Sequence, residues 1–194
     1  MRTSSGADRP TGRRRKLPLA YMILFALLAA MTFLSDLLLD VAMNVELVSM
    51  LLATFTLVYR RRALYIIYLY VILYLTIYGF TVFNVAYLYV WLVLWGMFML
   101  LPRRLSPKAA AVVYPVTSAL FGLAFGALYA PGWAIAAKLN WSSLVTWWMM
   151  GLPADVIHAV GNLLFGTLIL PLSTLLKRLE TRFSPASRVP KAVA

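Results

Sequence analysis

The chain has no cysteine, a single histidine and only six acidic residues. Without cysteine there is no disulfide framework, no thiolate nucleophile and no Cys-ligated zinc. One histidine among scattered carboxylates makes a poor metal site, because no second His stands four residues from His158 and the H-E-x-x-H pattern is missing. A Gly-rich phosphate loop and a nucleophile elbow are missing too. An Asp, His and Ser set can be imagined, but nothing in the order of residues places a Ser beside His158. Catalysis is therefore the minority reading, and neither a cofactor nor a metal is expected.

Charge of any kind is scarce. Charged residues make up 12% of the 194, hydrophobic residues 63%, and the mean hydropathy is +0.84. A soluble globule of this size carries roughly half apolar residues, so the excess cannot be hidden in one core and the chain reads as an all-α integral membrane protein. Six apolar segments, each near the roughly 20 residues that cross a hydrocarbon core, run from Leu17 to Leu39, Val41 to Tyr59, Ala63 to Phe83, Asn84 to Leu101, Ala109 to Ala130 and Pro153 to Leu176. The second is interrupted near its start by Asn44 and Glu46. The run "RRRK" followed by "LPLAYMILFALLAAM" also has the form of a secretory signal. It continues apolar to Leu39, longer than a signal's core, and is read as a retained first helix.

The basic residues set the orientation. If the chain starts inside, Arg2, Arg9, Arg13 to Lys16, Arg60 to Arg62, Arg103, Arg104, Lys108, Lys177, Arg178, Arg182, Arg188 and Lys191 all fall on the inner side, and only Lys138 falls outside. That segregation is the positive-inside pattern and gives an N-in, C-in membrane protein. Asp36, Asp40, Glu46 and Asp155 fall toward the outer side. The net charge of +12 is thus accounted for by topology and by anionic lipid, and no nucleic-acid surface is inferred. Residues 1–16 and 180–194, rich in Ser, Pro and Arg, are expected to be cytoplasmic tails around a six-helix domain of residues 17–179.

The unusual residues gather in the outer half. Asn84, Tyr87, Trp91 and Trp95 recur at helical spacing in the fourth segment, with Trp95 roughly 16 Å deeper than Asn84 at helical rise, too deep for an interfacial belt. Tyr70, Tyr74 and Tyr78 form a similar stripe on the third. Both stripes suit either helix packing and lipid contact or the walls of a ligand cavity. Between Pro131 and Pro153 lie Trp133, Trp141, Trp147 and Trp148, in a stretch that reads as an interfacial or re-entrant segment over the bundle mouth, or as a belt anchoring an external loop. Ser118, Gly122, Gly126 and Ala130 form a small-residue stripe on the fifth segment, and Ala26 and Ala30 a short one on the first. Each lets another helix come close.

The last segment opens as "GLPADVIHAVGN". Asp155, His158 and Asn162 stand at i, i+3 and i+7, on one helix face. Asp155, just after Pro153, suits a helix start, where a carboxylate meets the positive end of the dipole. His158 and Asn162 lie one to two turns inside an apolar span, where polar groups are expensive unless they face a cavity or a partner helix.

Taken together, six helices with both ends inside, a basic first inner loop, the Ala26 and Ala30 pair, and a last helix opening as "GLPADVIHAVGN", followed by Pro171-Leu172 and the basic Lys177-Arg178, resemble the substrate-binding S component of energy-coupling factor transporters. The resemblance covers roughly Leu17 to Leu179. It implies a membrane protein that captures a vitamin or related micronutrient on the outer side and works with a transmembrane T component and two cytoplasmic ATPases, toppling to release the ligand inward. The family's small-residue motif carries over to Ala26 and Ala30 as the T-component contact. Its ligand region carries over to Asn84, Tyr87, Trp91, Trp147, Trp148, Asp155, His158 and Asn162. From the residues themselves, two rivals stand beside this reading: an intramembrane hydrolase using Asp155 and His158, and a small membrane scaffold. The aromatic faces with a few directional polar groups favour a planar or heterocyclic ligand.

Overall fold

The computed structural model describes residues 18–39 and 47–183. These residues form helices and short connections: α1 (Leu19–Leu39), α2 (Val48–Tyr59), α3 (Ala63–Tyr78), a four-residue α4 (Val82–Val85), α5 (Tyr87–Leu100), α6 (Pro107–Ala137), α7 (Trp141–Gly166) and α8 (Ile169–Phe183). The expected tail of residues 1–16, the start of the second segment with Asn44 and Glu46, and Asp40, Arg188 and Lys191 lie outside the described residues. At the other end the final helix runs on to Phe183, past the expected boundary at 179.

Three helical stretches, Leu19–Leu39, Val48–Tyr78 and Pro107–Ala137, are long and apolar enough to cross a membrane; Trp141–Gly166 and Ile169–Arg182, bent by 46°, make a fourth if taken as one span. Their outer surfaces are apolar. On α1, Leu19, Ile23, Leu27, Leu34 and Leu38 are more than half exposed, as are Val160 and Leu164 on α7. A water-soluble bundle does not present whole apolar helix faces outward, whereas a lipid-facing one does.

The stretch Val48–Tyr78 is not one straight rod. Helical geometry ends at Tyr59, Arg60 takes φ 54° and ψ −121°, and a 3-10 turn Arg60–Arg62 follows. Phe25 of α1 touches rings on both sides of that turn, Tyr59 at 5.0 Å and Tyr65 at 6.3 Å between centroids. Further along α1, Leu28 and Met31 face Leu51 and Phe55 of α2, while Phe33 faces Tyr78 of α3. Helix α1 therefore runs against α2 and along α3, and α2 and α3 form a hairpin closed by the three arginines.

The same ladder logic orders the rest. Tyr74 stacks on Tyr87 at 4.3 Å and Tyr70 meets Trp91 edge-on at 5.9 Å, so α5 runs against α3. Phe98 faces Tyr114, Trp91 faces Phe121, and Tyr87 faces Tyr129, so α6 runs against α5. Trp133 faces Trp147, Phe125 faces His158, and Gly166 lies against Pro115, so α7 runs back along α6. Beyond the bend, Leu172, Leu175, Leu176 and Leu179 of α8 line an apolar groove with Leu28 and Met31 of α1 and Leu51 and Phe55 of α2.

One end of the bundle is knitted by polar contacts. The Tyr21 hydroxyl donates to Glu180 Oε2 at 3.1 Å, and the Arg62 guanidinium sits 5.8 Å over the Tyr21 ring. Arg60 donates to the Met99 carbonyl at 2.9 Å, and the Trp95 indole N–H donates to the Arg60 carbonyl at 3.2 Å. The opposite end carries Lys138, in the left-handed conformation at φ 51°, and the turn into α7 capped by Asn140, whose Oδ1 accepts from Ser143 N at 2.9 Å.

Two expectations change here. The stretch from Pro131 to Pro153 is not an element apart from its neighbours: α6 continues through Pro131 to Ala137, and α7 has already begun at Trp141. The proline rings remove one backbone donor each, which a long apolar helix tolerates when its neighbours re-satisfy the freed groups. Asp155 is consequently in the middle of α7, not at a helix start, and the capping role is replaced by a contact across to α6.

Candidate functional site

The α6–α7 seam is close because α6 supplies almost no side chain along it. A Cβ added at Gly122 would lie 2.8 Å from Asn162 Nδ2 and 3.0 Å from the Ala159 backbone, and one added at Gly126 would run into the Asp155 carboxylate. The stripe Ser118, Gly122, Gly126 thus seats α7 directly, the use that small residues have in membrane helix pairs.

Into that seam α7 turns its polar face. Asp155 is 5% exposed, His158 3% and Asn162 1%, while Val156, Ile157 and Val160 on the other side of the helix are about half exposed. The polar residues therefore look inward, and the lipid-facing side is apolar. The Gly126 backbone N–H donates to Asp155 Oδ1 at 2.9 Å. The second carboxylate oxygen, Oδ2, is buried with no hydrogen-bond partner among the described residues, as are both amide atoms of Asn162 and the hydroxyl of Ser118. Unpaired buried polar atoms are uncommon and costly in folded proteins. Here several fall along one seam.

His158 links the seam to an aromatic core. Its ring meets Phe125 at 4.8 Å and Phe121 at 6.4 Å, both edge-on. Phe125 stacks on Tyr129 at 5.7 Å, Trp91 packs against Phe121 and Phe125, and Tyr87 sits between Trp91, Tyr129 and Tyr74. Trp91 is fully buried and its indole N–H has no acceptor among the described residues.

The expected ligand residues are thereby sorted. Asp155, His158, Asn162, Tyr87 and Trp91 come together across α5, α6 and α7. Trp147 and Trp148 lie two turns before Asp155 on α7, half-buried, with Trp147 against Trp133 at 6.0 Å and the Trp148 indole N–H buried without a partner. Asn84 stands apart: its amide donates to the carbonyls of Tyr78 at 3.2 Å and Gly79 at 3.0 Å, and so closes the α3–α4 turn, where Gly79 takes φ 84°. Trp95 is likewise committed to the Arg60 turn. Of the tyrosine stripe, Tyr70 donates to Asp36 Oδ2 at 3.0 Å and ties α3 to α1, and Tyr74 joins the core. Residues that the spacing alone did not single out are Phe121, Phe125 and Tyr129, whose i, i+4, i+8 pattern on α6 is a readable signal.

Ala26 and Ala30 are both exposed on α1, on the side turned away from buried Phe25 and Ala29. Among the described residues, none covers them. No protein-family model, curated protein or solved structure matches the chain.

Proposed function

We propose that this chain is a membrane-embedded substrate-capture subunit, an S component of an energy-coupling factor importer. It binds a vitamin or related micronutrient from outside a bacterial cell and delivers it inward with a T component and two ATPases. Its role is binding rather than catalysis. The observation that carries the reading is the division of one small bundle into two surfaces: a buried polar and aromatic face across α5, α6 and α7, and an exposed small-residue face at Ala26 and Ala30 on α1. A ligand needs the first, and a partner helix needs the second.

Six membrane passes with both ends inside fit the helix directions, with α7 and α8 together making the last pass. Helices α2, α3 and α5, of 12, 16 and 14 residues, are short for a full crossing. The reading also agrees with the ends of the bundle. Arg60 to Arg62, Arg103, Arg104, Lys108 and the basic end of α8 belong to the inner side, Lys138 to the outer.

The test uses two variants of the full chain, His158→Ala and Ala30→Trp. His158→Ala is expected to weaken ligand binding while still copurifying with the T component. Ala30→Trp is expected to keep ligand binding and lose assembly and transport. Native mass spectrometry of gently purified protein supplies the ligand by its retained mass. Normal binding by His158→Ala, together with loss of binding by a folded Ala30→Trp, would overturn the proposal.

A further inference from the structure

Away from the α5–α7 face, an apolar groove runs between α1, α2 and α8, lined by Leu28, Met31, Leu51, Phe55, Leu175 and Leu179. Helix α2 packs against both α1 and α8 and makes the floor. Leu51, Thr54 and Phe55 there are 9%, 2% and 2% exposed, whereas Met31 on the α1 wall and Leu175 on the α8 wall are 44% and 53% exposed. The groove is therefore deep and narrow. The Thr54 hydroxyl donates to Met50 Sδ at 3.9 Å and offers the groove little polarity. At one end the two walls are joined, where Tyr21 of α1 donates to Glu180 of α8 at 3.1 Å.

That end carries positive charge. Arg178 follows Leu175 by three positions, and Arg182 follows Leu179 by three and Leu175 by seven, so both arginines stand beside the α8 wall toward the Glu180 end. Both are exposed. Glu180 is two positions from each and therefore on the other side of the helix, turned to Tyr21. Arg62, 5.8 Å over the Tyr21 ring, brings a third cation to the same end.

The surroundings decide what fills the groove. The stretches Leu19–Leu39 and Val48–Tyr78 are long and apolar enough to cross a membrane, as are α7 and α8 taken as one bent span, so the groove opens to hydrocarbon. A flexible acyl chain can reach a narrow floor. A helix, about 10–12 Å across with its side chains, would ride on the walls and leave the floor uncovered. A phospholipid also carries, on one molecule, the apolar chain that the groove takes and the phosphate that arginine binds best. Zwitterionic lipid brings a cation of its own, which opposes the arginines, and anionic lipid does not.

We propose that this groove is a binding site for an anionic phospholipid of the surrounding membrane. One acyl chain lies over Leu51 and Phe55 between Met31 and Leu175, and the headgroup phosphate is held by Arg178 and Arg182. The lipid ties α8 to α1 and α2 beyond the single Tyr21–Glu180 bond, whatever the α5–α7 face binds.

The experiment titrates the full chain in detergent with phosphatidylglycerol and with phosphatidylcholine of identical acyl chains, and counts bound lipids by native mass spectrometry. Phosphatidylglycerol is expected to bind about tenfold more tightly or better. Arg178→Gln with Arg182→Gln is expected to remove that preference. Arg103→Gln with Arg104→Gln, exposed in the α5–α6 connection, is expected to keep it. Leu175→Trp, which fills the groove from an exposed position, is expected to lower the binding of both lipids. A phosphatidylglycerol with a photoactivatable diazirine in its acyl chain is expected to label α1 around Leu28 and Met31 and α8 between Leu172 and Leu179. Equal binding of the two lipids, equal loss of preference in the two arginine pairs, or label confined to other helices would each overturn the proposal. So would a dimer of the chain that Leu175→Trp abolishes, because a second copy would then occupy the groove. Should Leu175→Trp fail to fold, the arginine pairs and the label decide, since all four arginines are exposed and their replacement leaves the packing intact.

Discussion

The backbone N–H of Gly126 donates to Oδ1 of Asp155 at 2.9 Å, so a mid-helix amide of α6 and a mid-helix carboxylate of α7 meet with no side chain between them. The contact exists because position 126 has no Cβ. Gly126→Ala would put a methyl group onto the carboxylate, and overpacking of this kind costs about 1–3 kcal/mol. It outweighs the gain of roughly 1 kcal/mol that alanine brings to a helix interior. Gly96→Ala is the control: on α5 an added Cβ meets nothing within 4 Å, so that variant is expected to hold or raise the unfolding midpoint while Gly126→Ala lowers it. Equal midpoints for the two would mean that the seam is looser than described.

Asn162 is expected to trade stability for function. Both of its amide atoms are buried and unpaired, and each such atom costs roughly 1–3 kcal/mol. Asn162→Leu keeps the number of side-chain heavy atoms and removes both polar ones, so it should leave the unfolding midpoint of the ligand-free chain unchanged or higher. Ligand retention should fall at the same time. A large loss of stability in Asn162→Leu would instead make the amide a structural member of the α6–α7 seam.

How much of this was legible in the residues differs from element to element. The helical class, the inward polar face of α7 and the small-residue stripe of α6 follow from period and composition, because lipid leaves few other ways to satisfy a backbone. The long α6–α7 hairpin was hidden by Pro131 and Pro153, which look like breaks by the rules of soluble helices. Inside an apolar bundle each removes only one donor. Asn84 and Trp95 shared a stripe with Tyr87 and Trp91, and spacing could not separate them, since each is claimed by a backbone carbonyl brought close only by a chain reversal, at Gly79 and Arg60. The polar groups of Asp155, His158 and Asn162 could be placed on a face, but which helix they faced depended on the missing side chains of Gly122 and Gly126.

The Arg60 turn makes a separable prediction about stability. Trp95 Nε1 donates to the Arg60 carbonyl at 3.2 Å, in a turn whose backbone leaves the helical region at φ 54°. Trp95→Phe keeps a ring and removes the donor, and is expected to cost about 0.5–1.5 kcal/mol by thermal unfolding. Ligand binding should be unaffected, because α5 places Trp95 a full turn beyond Trp91 and toward the other end of the bundle. A Trp95→Phe variant that folds normally but binds poorly would extend the site along α5.

The absence of cysteine makes orientation directly measurable, since any introduced thiol is the only one. Arg61 is exposed in the α2–α3 turn, and Ser142 is exposed in the first turn of α7, at the opposite end of the bundle. Basic residues near Arg61 favour the cytoplasmic side, whereas Lys138 is alone at the Ser142 end. Ser142→Cys is therefore expected to react with a membrane-impermeant maleimide in intact cells, and Arg61→Cys only after permeabilisation. Both sites are exposed, so a silent thiol reports its compartment rather than burial. Labelling of Arg61→Cys from outside, with Ser142→Cys protected, would place the Asp155 end of the seam toward the cytoplasm. Capture from outside would then have to be abandoned, because the polar face nearest Ser142 would open toward the inside of the cell.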